Sequence, residues 1–173
     1  MTIIQPSDLA LKGAIWLFAL GIGSALGASA PLPFKAGSLP NILDAHAGEP
    51  FLLVLWSLRC LPCREEMDLL ADMRRQHPDL EVVFISTDGV NRRDMVAGAL
   101  AQHGLENAES WIFAGPVQRL RYAIDPAWYG VLPRSYFYDA NHERVAVNGS
   151  LEKAQILAWL DYLDSRSAPP ESE

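Results

Sequence analysis

Cys60 and Cys63 are the only cysteines of the 173-residue chain, and they lie in the stretch LVLWSLRCLPCREEM, Leu53 to Met67. A Cys-x-x-Cys pair opens three chemistries: a redox couple, half of a metal site, or an inert cross-link. As a cross-link it is poor, because so short a ring hardly restricts the unfolded chain. Zinc requires about four ligands drawn from Cys, His and carboxylates. No other cysteine exists, and His46, His77, His103 and His142 are scattered without paired spacing. Two soft sulfurs still suit transient Cu(I). Disulfide exchange needs nothing beyond the pair.

The elements around the pair decide its reactivity. Phe51 to Trp56, FLLVLW, is a continuous apolar run that fits a central strand covered on both faces. From Cys60 to His77 apolar residues recur at Cys63, Met67, Leu70 and Met73, the spacing of a helix, and Pro78 stops it. Cys60 therefore falls where the strand has ended and the helix begins. Amides at a helix N-terminus are unpaired and carry partial positive charge, so a thiolate there is stabilised. Arg59 and Arg64 add positive charge nearby. These features make Cys60 the nucleophile. Cys63, one turn further on and on the apolar face, is the resolving thiol. It attacks the mixed disulfide on Cys60 and closes the intramolecular bond.

The remaining pattern reads as one domain. Ser38 to Ala47 is a short helix and Glu81 to Ser86 a second strand rich in β-branched residues. Asn91 to His103 is a helix ended by Gly104, Ser110 to Phe113 a short strand, and Pro116 to Ile124 a helix. Arg134 to Tyr138 and Glu143 to Val147 form a hairpin across DANH. Ser150 caps a last helix, Leu151 to Leu163. The first half is a right-handed β-α-β unit. The whole is an α/β fold, with a mixed central sheet and helices on both faces.

A net charge of -7 argues against a nucleic-acid binder. Between Gly13 and Ala30 there is no charged residue, which marks a secretory signal or a minimal membrane anchor. Ala28-Ser29-Ala30 has a small-x-small form, with Pro31 after it, and Ala25-x-Gly27 is an earlier cut site. Either reading places an N-terminal hydrophobic helix over 1–30 and exports the rest, where a disulfide persists. A linker over 31–37 leads to the domain over 38–165, and 166–173 is a polar, disordered tail.

LVLWSLRCLPCREEM resembles the active-site strand and helix of the thioredoxin superfamily, and more narrowly its exported, membrane-tethered reductases of the TlpA/ResA type. Trp56, Pro62, Arg64 and Glu65 match that pattern around the cysteines. YGVLPRSYFYDANHERV resembles the family's cis-proline loop and following strands. The resemblance implies a cis peptide before Pro133, with the Leu132 backbone presented to substrate. It also implies a thioredoxin-like fold and a periplasmic protein-disulfide reductase, inner-membrane-anchored or soluble after signal cleavage. Such a reductase needs no cofactor beyond the redox-active disulfide. It acts on protein thiols and disulfides, with cytochrome c or copper-site maturation as settings, and it needs a membrane electron donor. A dithiol oxidase of the same fold and a Cu(I)-handling module are the alternatives. The family's buried acid six residues before the first cysteine is replaced by Val54, leaving Glu65, Glu66 and Asp88 as candidate proton acceptors. Arg134 follows Pro133 where the family usually has Thr. Arg59 and Arg134 are expected either beside the sulfurs, stabilising the thiolate, or in solvent.

Overall fold

A computed structural model of the chain describes residues 29–167. In chain order the elements are β1 (Leu32–Phe34), α1 (Ser38–Ala45), β2 (Phe51–Trp56), α2 (Leu61–Gln76), β3 (Val82–Gly89), α3 (Arg93–Gln102), β4 (Glu109–Phe113), α4 (Val117–Ile124), β5 (Arg134–Tyr138), β6 (Arg144–Asn148) and α5 (Lys153–Ser167). A single 3-10 turn, Val90–Arg92, leads into α3. The strands make one six-stranded sheet in the order β1-β4-β3-β2-β5-β6. β2 pairs parallel with β3 and antiparallel with β5, so the sheet is mixed.

β2 is central because all six of its residues are apolar and both faces of the sheet are covered. Its alternating side chains divide the core in two. Leu52, Val54 and Trp56 pack with Cys63, Met67 and Leu70 of α2, Val96 and Leu100 of α3 and Ile156 of α5. Phe51, Leu53 and Leu55 pack on the opposite face with Ile42 of α1 and Leu120 and Ile124 of α4.

Three boundaries differ from the sequence reading. The stretch read as a linker, 31–37, contains β1, a three-residue edge strand paired parallel with Trp111 to Phe113 of β4. Pro33 within it masks the strand pattern, and proline is tolerated there because an edge strand leaves one side unpaired. The last helix starts at Lys153 rather than after a Ser150 cap. The Gln155 side chain reaches back to the Glu152 amide (2.8 Å), a capping arrangement that satisfies an orphan N–H. That helix also runs to Ser167, four residues past Leu163 and into the stretch read as a tail. No helix among the described residues is long and apolar enough to cross a membrane. The segment read as a signal or anchor lies outside the described residues, apart from Ser29 and Ala30.

Candidate active site

Cys60 is the N-cap of α2, with φ -86° and ψ 99°, and its Sγ accepts a hydrogen bond from the Cys63 amide at 3.2 Å. Pro62 sits in the first turn, where its missing N–H leaves no intrahelical bond unmade. A turn closes ahead of the pair, with the Cys60 amide donating to the Ser57 carbonyl at 3.1 Å. Cys60 and Cys63 are joined as a disulfide with Cα atoms 5.2 Å apart. The two sulfurs are not equivalent. Cys60 is half-buried at the helix mouth, whereas Cys63 is 1% exposed and part of the core.

The β2–β5 register brings the second motif to the first. Leu55 lies opposite Arg134, so Pro133 stands at the end of the sheet where β2 runs out toward Cys60. The Leu132–Pro133 peptide is cis, and Pro133 is buried. The loop before it is tied at several points. Trp128 Nε1 donates to the Val131 carbonyl (2.8 Å), and Asp125 accepts from the Ala127 amide (3.0 Å). Gly130 has φ +90° and lies against the Arg121 guanidinium, which a Cβ there would strike. Tyr129 and Val131 project outward from the loop, 84% and 64% exposed.

Arg134 corrects the sequence expectation, being neither beside the sulfurs nor in solvent. It is 7% exposed on the α1/α4 side of the sheet, donates to Asp125 Oδ2 (2.9 Å) and Asn148 Oδ1 (2.5 Å), and lies over the Tyr136 ring. Tyr136 also donates to Asp125 Oδ2 (2.9 Å), and Arg144 approaches Asp125 Oδ1 at 3.7 Å. Burial opposes ionisation of Asp125, but the amide, hydroxyl and guanidinium groups around it prevail and hold its carboxyl below the usual range. Strand alternation is the signal for this cluster: Arg134, Tyr136 and Tyr138 share one face of β5, and Ser135 and Phe137 the other.

On the β3 side, Asp88 fixes the approach to the cysteines. Its Oδ2 accepts from the Leu58 amide (2.8 Å) and Ser86 Oγ (2.9 Å), while Thr87 Oγ1 donates to the Trp56 carbonyl (3.2 Å). Trp56 is 1% exposed beneath this loop, and its Nε1 has no hydrogen-bond partner among the described residues. Arg59 and Arg64 are exposed and form no ion pair among the described residues.

Of the three candidate proton acceptors, Glu65 is exposed and Asp88 is held in the contacts just described. Glu66 is the third. It follows Cys63 by three residues on α2, which places both on one helix face, and it is 2% exposed. Oε1 accepts from the Leu151 amide at 2.9 Å, and Oε2 has no partner among the described residues. Burial pushes its carboxyl up to about 7, with the Leu151 amide and the Ser135 hydroxyl pulling the other way. Among the described residues no group of three or more His, Cys, Asp or Glu side chains is arranged to hold a metal ion.

Three solved structures share this arrangement of elements. A secreted disulfide oxidoreductase of Mycobacterium tuberculosis, homologous to E. coli DsbE, is 18% identical at TM-score 0.57, covering 69% of this chain and 86% of that one. A secreted thiol-disulfide isomerase from Corynebacterium glutamicum is 20% identical at TM-score 0.55, covering 70% and 75%. StoA from Bacillus subtilis is 17% identical at TM-score 0.50, covering 66% and 84%. The fold is thioredoxin-like. No family model and no curated protein matches the chain. Within the thioredoxin-like fold, the disulfide, the cis-proline loop and Glu66 all gather at one end of the sheet. A cavity of about 510 Å³ between β6 and α5 runs from Val147 to Asp139 and Tyr162 and includes neither cysteine.

Proposed function

We propose that the chain is an exported, periplasmic thiol:disulfide oxidoreductase that reduces protein disulfides through Cys60 and Cys63. The observation that carries this reading is the asymmetry of the pair: a half-buried cysteine at a helix N-cap bonded to a cysteine sealed in the core, with a buried acid one helical turn further on. In the dithiol form, the helix amides stabilise a thiolate at Cys60. That thiolate attacks one sulfur of a substrate disulfide, and the other substrate sulfur leaves as a thiolate. Glu66 takes the proton of the Cys63 thiol. The Cys63 thiolate then attacks Cys60 Sγ, forming the intramolecular disulfide and expelling the second substrate sulfur. Two electrons pass to the substrate, and a membrane-bound dithiol donor returns two to the protein. The cis-proline loop leaves the Leu132 backbone beside Cys60 for an extended substrate segment. Export rests on the uncharged segment 13–30, which would also tether the domain to the inner membrane if it is not cut. Maturation of cytochrome c or of copper sites is the setting in which such a reductase works.

Direction is a matter of potential, and about 30 mV corresponds to about 1.4 kcal/mol for a two-electron couple. Equilibration of the chain with glutathione and dithiothreitol buffers reads it. A value near about -270 mV is expected for a reductant, whereas one near about -120 mV makes the protein an oxidase and overturns this direction.

A further inference from the structure

On the β3 side of the disulfide, across β2 from the cis-proline loop, there is an open pocket of about 340 Å³. Trp56 at the end of β2, Leu58 in the turn that follows, Arg64 from the first turn of α2, and Met95, Gly98, Ala99 and Gln102 from α3 line it. α3 turns Val96 and Leu100 into the core, so Met95, Gly98, Ala99 and Gln102 form a second stripe at helical spacing, facing the pocket. Leu58 precedes Cys60 by two residues and Arg64 follows Cys63 by one, so both walls are joined to the redox pair.

Three features mark this pocket as more than a packing gap. Gly98 is in a helix interior, where glycine weakens the helix. Its backbone has no positive φ, and a Cβ added to it would meet nothing within 4 Å. Gly98 is exposed, and neither conformation nor close packing requires glycine here; its missing side chain leaves the α3 wall of the pocket open. Met95 stands at the rim, 60% exposed, an adaptable apolar side chain left in water. Arg64 is the one charged residue lining the pocket among the described residues, and it has no ion-pair partner there. Arg59, exposed one residue before Cys60, is likewise without an ion pair among the described residues, while Glu65 and Asp94 are exposed acids next to Arg64 and Met95 in sequence.

We propose that this pocket is a side-chain subsite for the protein substrate. It takes an apolar side chain from the segment flanking the reacting cysteine, with an adjacent carboxylate set against Arg64. This assignment rests on the redox reading above and adds a sequence preference to it. It gives the α3 stripe a role separate from the cis-proline loop, which holds the backbone of the same segment from the other side.

The test uses the reduced full-length chain and three disulfides. Two are peptide dimers, Gly-Leu-Glu-Cys-Gly and Gly-Leu-Lys-Cys-Gly, and the third is hydroxyethyl disulfide, which is uncharged and too small to span the pocket. The wild type is expected to favour the Glu peptide over the Lys peptide about fivefold in kcat/KM, and Arg64→Glu to reverse that order. Gly98→Phe, which fills the pocket, is expected to lower the ratio of Glu-peptide to hydroxyethyl disulfide turnover about tenfold. Arg64 is exposed, so its variant keeps the test decisive if Gly98→Phe does not fold. Equal use of the two peptides by the wild type, or an unaltered peptide preference in Arg64→Glu, overturns the subsite. Failure to reduce any of the three disulfides instead overturns the redox reading on which it rests.

Discussion

Two buried carboxylates, one on each side of the sheet, meet opposite fates. Glu66 is 2% exposed on the α2 side, with the Leu151 amide and the Ser135 hydroxyl beside it and no cation within ion-pair distance among the described residues. Asp125 is 7% exposed on the α4 side, bonded to Arg134, Tyr136 and the Ala127 amide, with Arg144 close by. Burial resists ionisation of both, and partners decide the outcome. Glu66 is pushed up to about 7, where it exchanges a proton near neutrality, while Asp125 is held below the usual range and stays charged. The difference separates a group left poised beneath the redox pair from one committed to holding the strand that follows the cis-proline.

The heaviest cut on the reactive side is Cys60→Ser. Exchange with a protein disulfide should fall by about a thousandfold or more, read as thiol release. The same change should lower stability to urea by at most about 2 kcal/mol, since the ring it opens is short. On the other side, Asp125→Ala leaves Arg134 buried without its counter-ion and should cost about 4 kcal/mol in urea denaturation at pH 7. An unchanged urea midpoint in that variant would remove the structural role given to the cluster.

The third prediction sharpens the contrast through pH. An acid whose carboxyl is pushed up keeps its proton in the folded chain after the unfolded chain has lost it. The wild type should therefore lose about 3 kcal/mol through Glu66 as pH rises from 4.5 to about 7. Glu66→Gln should be flat for this group across that window and slow the Cys63-dependent step about a hundredfold. Asp125 has the opposite sign: its contribution is present above the ordinary carboxylate range and is lost as pH falls below it. The smallest effect is expected from Pro133→Thr, about tenfold in kcat/KM for a protein disulfide with a lesser change in urea midpoint.

Much of the frame was legible because its strands are unambiguous. FLLVLW and RSYFY read as strands at the limits they have in the structure, the first as a continuous apolar run and the second through its three aromatics and the hairpin turn that follows it. β1 was not legible, because three residues around a proline carry no period and only pairing with β4 makes them a strand. The cysteine pair stands out from its residues alone, whereas the cis peptide at Leu132–Pro133 was legible only through the family resemblance of the loop around it. Helical spacing sets Glu66 on the Cys63 face of α2 and Glu65 off it, but the partner that Glu66 meets there, the Leu151 amide 85 positions away, is not legible in the sequence. Arg134 was misplaced for a related reason. Its neighbour Pro133 ties it to the site in sequence, but strand alternation turns its side chain to the other face, toward an aspartate nine residues earlier.

The central claim is that Cys60 exchanges with the sulfurs of other proteins. Its most direct test is to incubate the Cys63→Ser chain with a disulfide-bonded protein and identify covalent adducts by mass spectrometry. The account predicts a mixed disulfide on Cys60 that dithiothreitol releases. A free, accessible Cys60 thiol with no adduct would contradict it.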